Sequence, residues 1–232
     1  MNSGRGSGTL ALIGGGEWHE SFRALDAELL AAADAKEVLV LPSAAAYEHP
    51  ERVAERASAY FEGLGVKVKC PMVLRRADAD DPKIIEKARK ARAIYFADGS
   101  PLHLRSVLKG SALWDAILAA YHGGGLLAAS GAGATLVCDP MVDPRGGAYT
   151  VGLGVVSGLA IFPYHGTAAG HLRERSIDLL PAGAKLVGID DQTALVRAPE
   201  GTWRVAGSGS VSVYEGGTLT EHRAPGAVPG LP

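Results

Sequence analysis

Residues 126–138 read LLAASGAGATLVC, and this stretch decides the fold class. Five residues from Leu126 to Ser130 form a short apolar run, the size of a strand buried on both faces. Gly131 breaks it, and Ala132, Gly133 and Ala134 then open a run of helical character ending at Cys138. A strand that turns sharply into a helix crowded with alanine and glycine is the setting of a nucleophile elbow. Small neighbours are needed there because helix and strand nearly touch.

Working outward, the same alternation of short apolar runs and helical stretches recurs on the N-terminal side. Strands are expected at 9–14 (TLALIG), 37–42 (EVLVLP), 66–71 (VKVKCP) and 93–98 (AIYFAD), with helical spacing at 20–34, 50–63, 81–91 and 111–122. Pro50 and Pro82 fall where a first helical turn tolerates proline. Strands alternating with helices predict an α/β protein: a three-layer α/β/α sandwich with a mostly parallel, doubly wound sheet. After about residue 148 the runs LAIFPY, KLVGID, TALVRA, TWRVAG and SVSVYEGG are separated by tight glycine turns. They predict an antiparallel C-terminal extension at one edge of the sheet. One domain over 9–222 is expected, with a Gly/Ser-rich flexible lead over 1–8 and a Pro/Gly-rich tail over 223–232, surface-lying or disordered.

Composition excludes several functions. Lys and Arg total 23 against 25 Asp and Glu, so no single-sign field favours nucleic acid or an anionic membrane. No apolar run reaches membrane-spanning length. Two widely spaced cysteines, Cys70 and Cys138, suit a reducing, cytoplasmic setting and form neither a disulfide framework nor a metal-ligand pattern. No cofactor and no metal are expected, since His19, His165 and His171 lack ligand spacing.

In open α/β sheets, ligands bind beyond the carboxyl ends of the strands. Four loops lie there. Gly14-Gly15-Gly16-Glu17 permits close backbone approach or is simply a tight turn, without the dinucleotide fingerprint. Asp98-Gly99-Ser100-Pro101 follows the fourth strand, and Ser130-Gly131 the fifth. The last loop group holds His165 and the acid pair Asp190 and Asp191, the parts of a base-and-acid relay if they meet the elbow.

These segments resemble peptidase family S51, which includes dipeptidase E and the cyanophycinases. LIGGGE, LPSAA, IYFADGSPLHL, GLGVVSGLAIFPYH, HLRER and GIDDQTALV are each similar to a family segment, over nearly the whole chain. The resemblance implies a flavodoxin-like, class I glutamine amidotransferase-like fold and a serine hydrolase ancestry. The family elbow G-x-S-A-G-A is similar to A-S-G-A-G-A here, so Gly131 stands at the nucleophile position and the serine is lost. The resemblance further implies His165 as general base and Asp191 as its orienting acid. It implies oxyanion N–H groups near Gly99 and Ala132, and serine restored at 131 is expected to react with help from His165. Pro101 replaces a polar residue of the family pattern.

Two readings stay open. One is a binding homologue without serine hydrolase activity, retaining a pocket for a small acidic or peptide-like ligand, with Glu17, Ser100, Arg173 and Arg175 as ligand contacts; guanidinium groups pair carboxylates. The other is an active hydrolase using Ser130, or a water activated by His165. The expected partners are a small-molecule or peptide ligand and, in a homodimer, a second copy; no nucleic acid and no membrane are expected.

Overall fold

The computed structural model describes residues 8–232; the lead expected over 1–8 lies outside the described residues except for Gly8. The first half runs β1 (Thr9–Ile13), α1 (Arg23–Ala32), β2 (Glu37–Leu41), α2 (Pro50–Glu62), β3 (Lys67–Lys69), α3 (Pro82–Lys90), β4 (Ala93–Phe96), α4 (Pro101–Leu108), α5 (Ala112–His122), β5 (Leu126–Ser130) and α6 (Ala132–Val137). The second half runs β6 (Cys138–Asp139), β7 (Met141–Val142), β8 (Tyr149–Thr150), β9 (Val156–Ser157), β10 (Leu159–Phe162), α7 (Gly170–Asp178), β11 (Lys185–Ile189), β12 (Thr193–Arg197), β13 (Trp203–Gly207), β14 (Ser210–Glu215), β15 (Thr218–Arg223) and β16 (Gly226–Ala227).

The main sheet has eight strands in the order β16-β13-β12-β1-β5-β4-β2-β3. From β1 to β3 the pairs are parallel, whereas β12 and β13 join antiparallel beside β1. Successive residues of β1 feed opposite faces: Leu10 and Leu12 enter one core cluster, Ala11 and Ile13 the other. Leu104, Leu113 and Leu136 of α4, α5 and α6 close the first cluster; Leu29 of α1 and Phe61 of α2 close the second. That is the three-layer arrangement, produced by the period-two alternation of buried strands.

One expectation is corrected. The C-terminal strands do not all extend one edge of the main sheet. A separate six-stranded sheet forms in the order β15-β14-β11-β10-β6-β9, with β10 and β11 parallel. Its Ile161, Val187 and Val211 pack into the first core cluster, so the second sheet is held by burial across the helical layer. The chain passes from this sheet to the main one between Ile189 and Thr193. The tail lies on the surface, one of the two expected alternatives, and is tied down there: β16 pairs with β13, Val228 is buried, and the Trp203 indole N–H donates to the Pro232 carbonyl at 2.9 Å. Its few apolar residues find a site against Trp203, which local composition does not reveal. Helix α4 also goes beyond the expected elements. Ser100 accepts from the His103 N–H as its N-cap and Pro101 occupies the first turn, a start signal present in the sequence. No helix among the described residues is long and apolar enough to cross a membrane.

Candidate functional site

The elbow is built as expected. Gly131 sits at φ 46°, ψ −104° between β5 and α6, a conformation that favours glycine. Its N–H donates to the Ile13 carbonyl at 2.9 Å. The position is unlike an empty nucleophile site, however. A Cβ added at Gly131 would overlap the carboxyl group of Asp98. Asp98 Oδ1 accepts from the Ala132 N–H at 2.6 Å, and Oδ2 accepts from the Tyr164 hydroxyl. The carboxylate of Asp98 thus fills the space that a side chain at 131 would need and engages the Ala132 N–H expected to serve an oxyanion. The register explains the contact: Phe96 of β4 pairs with Ala129 of β5, so Asp98, two residues on, comes level with Gly131.

Ser130 is fully buried, and its hydroxyl donates to Glu17 Oε2 at 2.9 Å. Ala129 packs in the first core cluster and Ala128 in the second, so Ser130 follows Ala128 to the face away from α6. Glu17 Oε1 lies 3.7 Å from the Arg56 guanidinium, which in turn stacks over Trp18 at 5.4 Å from the ring centroid. Glu17 and Ser130 therefore form an internal pair behind the elbow.

His165 and Asp191 are not brought together as the expected relay. His165 Nε2 is 2.8 Å from the Tyr214 hydroxyl, its Nδ1 is 3.5 Å from Asp190 Oδ1, and its ring packs beside Phe162 and Gly188. Those partners all belong to, or directly follow, strands of the second sheet, so the imidazole is turned into that sheet. Burial is the main cause that lowers its pKa, with Arg173 adding to the effect and Asp190 opposing it. Asp190 Oδ2 also accepts from the Ser210 N–H and hydroxyl. Asp191, one residue on, accepts from the Thr167 hydroxyl at 2.5 Å. Neighbouring acids diverge because the chain is crossing between sheets at this point.

Tyr164 is the side chain of this loop that reaches the elbow, and sequence reasoning missed it. Burial, then Asp98, pushes its phenol well above the usual range, with Glu17 and Asp191 contributing, so it is held as a neutral donor. A Cβ at Gly15 would overlap the Tyr164 ring, and one at Gly14 would meet the Ile189 and Asp190 carbonyls. Close approach is thus the reason for these two glycines, and the approaching groups belong to the chain itself. Trp18, Tyr164 and Gln192 have φ of 62°, 54° and 53°. Non-glycine residues in this region cost on the order of 1–3 kcal/mol each and gather at functional sites.

A cavity of about 210 Å³ opens beside the elbow, with Asp98, Gly99, Pro101, Ala132 and Tyr164 in its lining. Ser100 is spent on capping α4. Arg173 lies outside the lining and donates to the His165 carbonyl at 3.3 Å; Arg175 is exposed on α7. The two arginines are therefore not placed to meet an acid in this cavity. Among the described residues no group of three or more His, Cys, Asp or Glu side chains is arranged to hold a metal ion.

An α/β sheet with a strand-turn-helix elbow at the carboxyl ends of its parallel strands is a hydrolase-type scaffold. A sequence profile described as Peptidase family S51 matches residues 10–203, and the chain belongs to that family. It is similar to cyanophycinase of Synechococcus elongatus, 26% identical over 192 aligned residues that cover 76% of this chain and 58% of that protein. Similarity to cyanophycinase of Trichormus variabilis is 25% over 204 residues, covering 81% and 66%. The chain thus spans less than two thirds of the length of these relatives. Among solved structures, a peptidase from an acI-B1 Actinobacterium superposes with a TM-score of 0.88 at 26% identity, covering 97% of this chain and 98% of that one. A putative peptidase E protein from Listeria monocytogenes EGD-e shares the fold, with a TM-score of 0.65 at 17% identity over 94% and 98% of the two chains.

Proposed function

We propose that this S51 member does not hydrolyse by the serine route and instead binds a small-molecule or peptide-like ligand beside Gly131, in a reducing, cytoplasmic setting. The observation that carries the reading is the carboxylate of Asp98 where a side chain at position 131 would stand. A covalent route needs a side-chain hydroxyl at the elbow and free N–H donors for the developing oxyanion. Here position 131 has no side chain, and the Ala132 N–H is bonded to Asp98.

The cyanophycinase and peptidase relatives favour a second reading, hydrolysis through Ser130 or a water activated by His165. Ser130 would first have to leave its buried bond to Glu17, and His165 its contacts with Tyr214 and Asp190.

A fluorophosphonate probe followed by peptide mapping, run beside turnover assays on Asp-X dipeptides and β-aspartyl peptides, tests the choice. We expect no labelled serine and no turnover approaching about 1 s⁻¹, the low end of ordinary enzyme rates. Labelling of Ser130, or turnover at that rate, overturns the binding reading.

A further inference from the structure

The chemistry of the cavity beside Gly131 bears on what it binds. Its walls include Val142, Phe162 and Leu172. Three of its lining residues, Pro101, Pro144 and Pro163, carry no backbone N–H. An anionic head group would need such donors or a cation. The Ala132 N–H is already bonded, and the lining contains no Lys, Arg or His.

The charged groups that line it are Asp98 and Asp143. Asp143 is neutralised by Arg145, whose Nη2 lies 2.6 Å from Oδ2. Asp98 differs, because its hydrogen-bond partners among the described residues, the Ala132 N–H and the Tyr164 hydroxyl, are both neutral. A carboxylate has about four lone-pair sites, so two remain. Tyr164 gives its one proton to Asp98, which leaves its oxygen as an acceptor. Gly99 also brings a backbone N–H to the lining, but around Asp98 and Tyr164 the floor of the cavity is rich in acceptors, under apolar walls.

We propose that this cavity takes a small primary ammonium carrying a branched aliphatic or aromatic body, with its nitrogen on Asp98 and its hydrocarbon against Val142, Phe162 and Leu172. An ammonium group supplies three donors and no acceptor, the complement of this floor. An acidic ligand meets the opposite of what it needs. The inference rests on the binding reading above, since it names the ligand class of the same cavity.

Isothermal titration of the full chain with three ligands of one shape is the test: isopentylamine, its neutral counterpart 3-methylbutan-1-ol, and 4-methylpentanoate. We expect the amine to bind at least about tenfold more tightly than the alcohol, as charge-assisted hydrogen bonds imply, and the carboxylate to show no binding. In Asp98→Asn, with folding checked by circular dichroism, the preference for amine over alcohol should disappear. Equal or tighter binding of the carboxylate, no heat with the amine, or an unchanged preference in Asp98→Asn overturns the proposal. The wild-type comparison decides even where the variant does not fold. A missing amine signal together with an unlabelled serine sinks this inference alone; a labelled Ser130 sinks the binding reading itself.

Discussion

At the scale of single residues, the site turns on Gly131 and the carboxylate that lies against it. Glycine at 131 avoids the cost of about 1–3 kcal/mol that a residue with Cβ would carry in this turn, and Asp98 occupies the space such a Cβ would need. The two positions are therefore coupled, and Gly131→Ser does not simply add a hydroxyl. The new Cβ must displace the Asp98 carboxylate from the Ala132 N–H and from Tyr164. We expect Gly131→Ser to lose about 2–5 kcal/mol of stability, strain and a lost charge-assisted bond together. Asp98→Ala should cost about 1–3 kcal/mol in the wild type and much less, or nothing, in the Gly131→Ser background. Urea unfolding of the four proteins in a double-mutant cycle measures this, and additivity within about 0.5 kcal/mol would show that the two side chains do not compete. The expected rescue of a reactive serine by His165 is revised for the same site, because the imidazole is engaged in the second sheet.

At the scale of elements, helix α6 is held by burial on every side, since all six residues from Ala132 to Val137 are buried. It lies against β4 and β5 so closely that a Cβ at Gly133 would crowd Phe96 and Ala129. The local sequence of small residues makes such contact possible. At the other end of the chain, β16 and the residues after it complete the edge of the main sheet. Truncation after Ala224 removes the pairing with β13, the burial of Val228 and the bond from the Trp203 indole to Pro232. We expect it to lower stability by about 2–4 kcal/mol, combining one buried aliphatic side chain with the lost hydrogen bonds. Thermal unfolding checks this. A truncated chain as stable as the whole would show that the tail contributes nothing to the edge.

At the scale of the whole molecule, global stability should carry a pH signature from a buried pair between α1 and α2. Asp26 of α1 is buried, and the Tyr60 hydroxyl of α2 donates to it at 2.7 Å. Burial lifts its carboxyl from the usual 3.8 to about 6, with the Tyr60 bond opposing. The folded protein thus holds a proton that the unfolded chain releases. The associated stability is full below about 3.8 and is lost as pH rises through about 6. The difference is on the order of 3 kcal/mol at 1.36 kcal/mol per unit. His165 acts in the other direction: with its pKa held below 6.5, stability falls as pH drops from 6.5 toward its folded value. Asp26→Asn should therefore be the more stable protein at pH 7.5, by up to about 3 kcal/mol relative to its standing at pH 4. Its remaining slope just below pH 6.5 should be that of His165. Urea unfolding across this range checks both; an unchanged profile in Asp26→Asn would remove Asp26 as the source.

What the sequence by itself determined is local and periodic. Buried runs such as AIYF and LLAAS, helix starts at Pro50 and Pro82, and the small residues after Gly131 each specify their element through short-range sterics and alternation. They located the parallel sheet and its elbow. Only the tertiary structure decided which side chains meet there. On an extended chain a shift of one residue exchanges faces, and the face is set by partners distant in sequence. Tyr164 therefore reaches Asp98 while His165 turns to Tyr214, and Asp190 meets His165 while Asp191 meets Thr167. Each of these outcomes follows from how the chain lies between two sheets, a packing relation that no stretch of neighbouring residues encodes.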